Sequence, residues 1–186
     1  MTGRESQGKS GASAALPRNG KWRELLQARS PARATAHSLP TEQAFFLQFI
    51  KGQWKSGERE VLRGLPGVDL EVTGRGFTIE QLRNPRIPLE DHAAAAHGWQ
   101  VAQTIVGEGN YDVVVLDEIL GAVKAGLVPL DELLALVHSK PAELHLALTG
   151  RDASAELIEI ADLVSEVQPI KHPLQQGIKA QRGIEF

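Results

Sequence analysis

Cysteine is absent from the 186-residue chain, which excludes disulfides and thiolate metal sites and fits a reducing, cytoplasmic setting. No apolar run approaches the roughly 20 residues that a membrane-spanning helix needs, so no membrane association is expected. The amino terminus lacks the apolar stretch of a secretory signal. The six histidines do not fall into close metal-ligand spacing, which argues against zinc. No internal repeat is visible. With 42% apolar residues the chain has enough material for one full core.

Charge is distributed unevenly. Residues 1–40 carry seven basic and two acidic residues, whereas the remainder carries 13 basic and 21 acidic. A basic leader without interleaved aromatics reads as a solvated tail, and nucleic acid is not an expected partner. The organisation expected is an atypical, partly disordered leader over residues 1–43, with a short helix around Trp22–Leu26, followed by an α/β domain over 44–186.

The body alternates strand and helix patterns. Ala44 to Ile50 is a buried-strand run, and Asp69 to Thr73 alternates as a strand. Ala95, Trp99, Ala102, Ile105 and Val106 recur at helical spacing over Glu90 to Val106. Tyr111 to Leu116 is a buried strand that ends in Asp117-Glu118. Leu130 to Val137 is a helix, Leu144 to Thr149 a strand ending at Gly150-Arg151, Leu157 to Ala161 a helix face, and Leu163 to Val167 the last strand. This alternation predicts a mostly parallel sheet with helices on both faces. Lys51 to Glu58 reads as a loop.

Open α/β sheets bind ligands outside the carboxyl ends of their strands. Asp117 and Glu118 stand at such an end, where a carboxylate pair can hold Mg²⁺ beside nucleotide phosphates; the bland alternative is a solvated or helix-capping pair. Gly3 to Ser10 fits the phosphate-loop pattern G-x-x-x-x-G-K-[ST], with Gly8 and Lys9 toward phosphate and the Ser10 hydroxyl toward the metal. Such a loop should follow a buried strand and open a helix, yet only Met1-Thr2 precedes it and Gly11 to Leu16 ends at Pro17.

Several blocks occur in order: Gln48-Phe49-Ile50-Lys51-Gly52, Gly74-Arg75-Gly76-Phe77-Thr78, Val115-Leu116-Asp117-Glu118, Leu148-Thr149-Gly150-Arg151, Lys171-His172-Pro173 and Gly177-Ile178-Lys179-Ala180-Gln181. Together they resemble the P-loop ATP:corrinoid adenosyltransferases, over Phe45 to Phe186. The resemblance implies a P-loop NTPase (RecA-like) architecture, ATP and Mg²⁺, a reduced corrinoid such as cobalamin as substrate, an electron-donating flavoprotein reductase and a homodimer. It also implies transfer of the adenosyl group to cobalt in cobalamin biosynthesis or salvage. Glu118 would hold Mg²⁺ with Asp117 in support, and Arg151 would face the nucleotide unless it pairs with Asp152 or Glu156. Phe77 would lie under the corrin ring, with Ile79 where the family carries tryptophan. Lys171, His172 and Lys179 would order the end of the chain around the site.

Upstream of Phe45 the family's pattern stops. Two readings are open there: a replaced amino-terminal region that leaves the sheet without its central strand, or a displaced working loop at Gly3 to Ser10. Two rival functions stand beside the transferase: a general P-loop ATPase or kinase, and a degenerate relative that binds corrinoid or nucleotide without transfer.

Overall fold

The computed structural model describes residues 43–52, 57–76, 87–167, 170 and 177–178, together with the backbone of 11–16. Their strands are β1 (Gly11–Leu16), β2 (Ala44–Gln48), β3 (Val68–Val72), β4 (Val113–Asp117), β5 (His145–Arg151) and β6 (Leu163–Val167). The helices are α1 (Gly57–Arg63), α2 (Leu89–Glu108), α3 (Ile119–Lys124), α4 (Leu130–Ser139) and α5 (Ala155–Ile160). The sheet runs in the order β3-β2-β4-β5-β1-β6. β3, β2, β4 and β5 are mutually parallel, as the alternating pattern predicts. No helix among the described residues is long and apolar enough to cross a membrane.

β2 and β4 lie inside the sheet because both of their faces are apolar. Phe45, Leu47 and Phe49 enter the larger core with Val114 and Leu116, against α2 and α4. Ala44, Phe46 and Val115 turn to the opposite face and pack on Leu62 of α1. Successive side chains on a strand alternate faces, so a fully apolar strand supplies two cores at once. α2 buries Ala95, Trp99, Ala102 and Val106 of the stripe read from the sequence, with Gly98 between them, while Ile105 is half-buried. A Cβ at Gly98 would sit 2.4 Å from the Thr73 hydroxyl, so the helix approaches the end of β3 as closely as it does because that side chain is missing.

β1 departs from the expected picture. It runs antiparallel to both neighbours, pairing Gly11 with Arg151 of β5 and with Val167 of β6. A strand from the amino-terminal region thus occupies the sheet between β5 and β6. A phosphate loop opens a helix, but the residues directly after Ser10 form this strand. Two short helices also stand where no helix was read: α1 begins inside the expected loop, and α3 follows Glu118 directly.

Candidate active site

The polar cluster at the carboxyl edge starts from register. Gln48 and Asp117, the last residues of β2 and β4, are direct partners across the parallel pair. Gln48 is only 1% exposed, so its amide must find partners within the protein. Its Nε2 donates to Asp117 Oδ2 at 3.0 Å and to Glu58 Oε1 at 3.2 Å. Its Oε1 accepts from Arg59 Nε at 2.7 Å. Two carboxylates on one end and a guanidinium on the other fix the orientation of the amide.

Arg59, 5% exposed, also donates to the Gly52 carbonyl at 2.6 Å, holding the chain that leaves β2. Burial lowers its pKa. Lys51 lies between two acids, with Nζ 2.8 Å from Glu58 Oε1 and 3.1 Å from Asp117 Oδ2. Burial works against the ammonium, but Asp117 and Glu58 outweigh it and raise its pKa, so Lys51 stays charged.

Asp117 is therefore held by the protein. Its Oδ2 takes Gln48 and Lys51, its Oδ1 accepts from the Thr149 hydroxyl at 2.7 Å, and its side chain is 13% exposed. Glu118 is different. Its backbone is left-handed, φ 62° and ψ 19°, and its N–H donates to the same Thr149 hydroxyl at 3.0 Å. A left-handed conformation costs a non-glycine residue on the order of 1–2 kcal/mol. Ile119 and Leu120, both buried directly after it, hold the chain in that turn. Burial first, and then the Asp117 charge, raise the Glu118 pKa, while Lys51 and Arg151 pull it down. A half-buried carboxylate of raised pKa facing two cations suits a site for added positive charge.

β5 completes the edge. Gly150 has φ 141°, and a Cβ there would lie 2.7 Å from Leu120 Cβ, so only glycine lets β5 end directly against the start of α3. Arg151 follows it, exposed, and makes no ion pair with Asp152 or Glu156 among the described residues; Asp152 pairs with Lys124 instead. The Gly76 N–H donates to the Ile50 carbonyl at 3.2 Å, which holds Gly76 beside the turn that follows β2.

The structure thus brings together Asp117, Glu118 and Arg151 of the residues expected from the sequence. Gly8, Lys9, Ser10, Phe77 and Ile79, like Trp22–Leu26, Lys171, His172 and Lys179, lie outside the described residues. Sequence reasoning missed Gln48, Glu58, Arg59 and Thr149 as site residues and read Lys51 as loop. The available signal was a lone glutamine, then a lysine, at the carboxyl end of an otherwise apolar strand.

Residues 31–186 match the family model described as ATP:corrinoid adenosyltransferase BtuR/CobO/CobP. The chain belongs to the ATP:corrinoid adenosyltransferase family. A corrinoid adenosyltransferase of Pseudomonas aeruginosa is 38% identical over 169 residues, covering 90% of this chain and 80% of the relative. One from Escherichia coli K12 is 33% identical over 168 residues, 90% of this chain and 82% of the relative. One from a Sinorhizobium species is 39% identical over 157 residues, 83% of this chain and 70% of the relative. The family match contains every residue of the cluster described above and begins after Gly3 to Ser10.

Proposed function

We propose that the protein transfers the 5′-deoxyadenosyl group of ATP to the Co(I) of a reduced corrinoid and releases triphosphate, within cobalamin biosynthesis or salvage. Family membership sets the reaction class, and one structural observation carries the reading to this chain. That observation is the half-buried Glu118 carboxylate at the carboxyl edge, within electrostatic reach of Lys51 and Arg151 and, among the described residues, without the side-chain hydrogen bonds that occupy Asp117.

The cobalt electron pair attacks C5′, the Co–C bond forms, the C5′–O bond breaks, and the bonding pair leaves on triphosphate. The substrate supplies the nucleophile, so the protein needs no catalytic serine or cysteine. Its tasks are alignment of C5′ and neutralisation of the leaving group. Arg151 provides positive charge for that purpose, and Lys51, held between Glu58 and Asp117, contributes less because its charge is already partnered. Asp117 holds Lys51 and Thr149 and plays a supporting part.

The residues fit Mg²⁺. Among the described residues no group of three acids or histidines forms a protein-only cage, but Mg²⁺ characteristically binds through one or two carboxylates, substrate phosphates and water. Glu118 would be the carboxylate, and the ion would supply charge stabilisation to the departing triphosphate. Phe77 and Ile79 are the proposed corrinoid-facing residues, a role that rests on the likeness of the Gly74-to-Thr78 block to the family. The corrinoid must arrive as Co(I), which calls for an electron donor of the flavoprotein class.

The register of β1 supports a part for Gly8, Lys9 and Ser10. Gly11 pairs with Arg151, so the chain enters β1 at the same edge that carries Glu118. The strand that follows Ser10 favours a second reading, a relative that binds its ligands without transfer. The deciding experiment mixes the protein anaerobically with Mg-ATP and chemically reduced cob(I)alamin and follows the visible spectrum. Formation of a light-sensitive alkylcobalamin with stoichiometric triphosphate establishes the transferase. No conversion by folded protein favours the binding relative, which retained ATP or corrinoid affinity would then establish, and phosphate release without corrinoid indicates an ATPase.

A further inference from the structure

One hydroxyl connects the two acids of the site. Thr149 stands in β5 one residue beyond Leu148, which pairs with Leu116 of β4. A hydroxyl has one proton to give and two lone pairs to accept with. Here the proton goes to Asp117 Oδ1 at 2.7 Å, and a lone pair takes the Glu118 N–H at 3.0 Å. The second bond closes on Glu118, which is held left-handed directly before α3. Conformational strain persists only where its surroundings over-determine it; buried Ile119 and Leu120 and the Gly121 and Ala122 N–H bonds to the Glu118 carbonyl hold one side of the turn, and Thr149 supplies the side-chain hydrogen bond on the other.

We propose that Thr149 is a positioning residue of the nucleotide-metal site, fixing Glu118 in its left-handed turn and thereby aiming the carboxylate that receives the cation. The proposal rests on the reading of Glu118 as the metal carboxylate. Without the hydroxyl, the Glu118 N–H loses its acceptor and Asp117 loses one of its three donors. The turn then relaxes and the carboxylate swings away from the triphosphate. Thr149 touches neither metal nor nucleotide; its effect passes through Glu118.

The test uses Thr149→Val, which keeps shape and removes the hydroxyl, and Thr149→Ser, which keeps the hydroxyl. Binding of Mn²⁺ in the presence of ATP is read by the loss of the free-ion paramagnetic resonance signal, and turnover is measured in parallel. Groups that orient metal ligands are typically worth 10–100-fold, so Thr149→Val is expected to weaken ATP-dependent Mn²⁺ binding about tenfold or more. It should lower kcat by a similar factor with KM for cob(I)alamin unchanged. Thr149→Ser should recover to within about threefold of the parent on both readouts. Glu118→Gln serves as the reference. If it weakens Mn²⁺ binding and Thr149→Val does not, the Thr149 proposal is overturned. If Thr149→Ser is as impaired as Thr149→Val, the hydroxyl is not the cause and the proposal is overturned as well. If Glu118→Gln itself leaves Mn²⁺ binding unchanged, the metal reading falls, and the positioning role with it. Should circular dichroism show Thr149→Val unfolded, Thr149→Ala carries the same comparison without the added methyl.

Discussion

Replacing Gln48 by methionine tests whether the buried amide organises this edge. Methionine preserves length and flexibility, so no cavity is opened, while the donor and acceptor functions disappear. Three hydrogen bonds to charged partners are lost, at 3.0 Å to Asp117, 3.2 Å to Glu58 and 2.7 Å from Arg59. Bonds to charged groups contribute about 1.5–3 kcal/mol each. The partners are not left bare: Asp117 keeps Lys51 and Thr149, Glu58 keeps Lys51, and Arg59 keeps the Gly52 carbonyl. The Glu58 bond is also discounted because that carboxylate is partly exposed. A net loss of about 2–4 kcal/mol follows, most of it from the desolvated Arg59 and Asp117. For a chain of this size that is a Tm lower by about 5–15 °C. Urea unfolding at constant protein concentration provides the assay, with an unchanged m value showing that the two end states are comparable. A loss below about 1 kcal/mol would refute the reasoning, since the amide would then be an incidental passenger in a cluster that organises itself.

Glu118→Gln should lower turnover about 100-fold or more while raising the stability of the ligand-free protein at neutral pH. The sign follows from the raised pKa: the folded state binds more protons, so ionisation of Glu118 costs stability as pH climbs from 4.5 through the raised value. The gain from glutamine should therefore vanish below about pH 4.5 in a Tm series, and a gain independent of pH would contradict it. Arg151→Ala should weaken ATP binding about tenfold with stability changed by less than about 0.5 kcal/mol, because the side chain is exposed; calorimetric titration showing native affinity would remove it from the site. Lys9→Ala should weaken ATP binding by a similar factor, and unchanged affinity would exclude Gly3 to Ser10 from the phosphate contacts.

The elements legible in the sequence are those whose burial writes a period into it. β2 and β4 are nearly continuous apolar runs, β5 alternates buried leucines with half-buried residues, and α2 repeats its small and aromatic residues every three or four positions. α1 and α3, seven and six residues long, are too short to display a period and begin beside glycine or acid signals that read as loop. β1 was hidden because Gly, Ala and Ser carry little strand preference; pairing on both edges decides its state. At the site, Asp117 and Glu118 were visible as acids ending a buried strand. Their different roles were not, because Gln48, Lys51 and Thr149 determine them, and these arrive from 69, 66 and 32 positions away along the chain. A contact of that kind has no local signature.

The Gln48–Asp117 pair has a consequence for how the strands find each other. β2 is apolar on both faces, so hydrophobicity alone barely distinguishes its correct alignment from its neighbours. Sliding β2 by one residue against β4 would set Leu47 or Phe49 opposite Asp117, and sliding by two would set Phe46 or Ile50 there. Each alternative strands a carboxylate against hydrocarbon and costs several kcal/mol. The polar step at the end of each strand therefore acts as an alignment mark, and the same mark sets the height at which Lys51 and Glu118 meet the substrate.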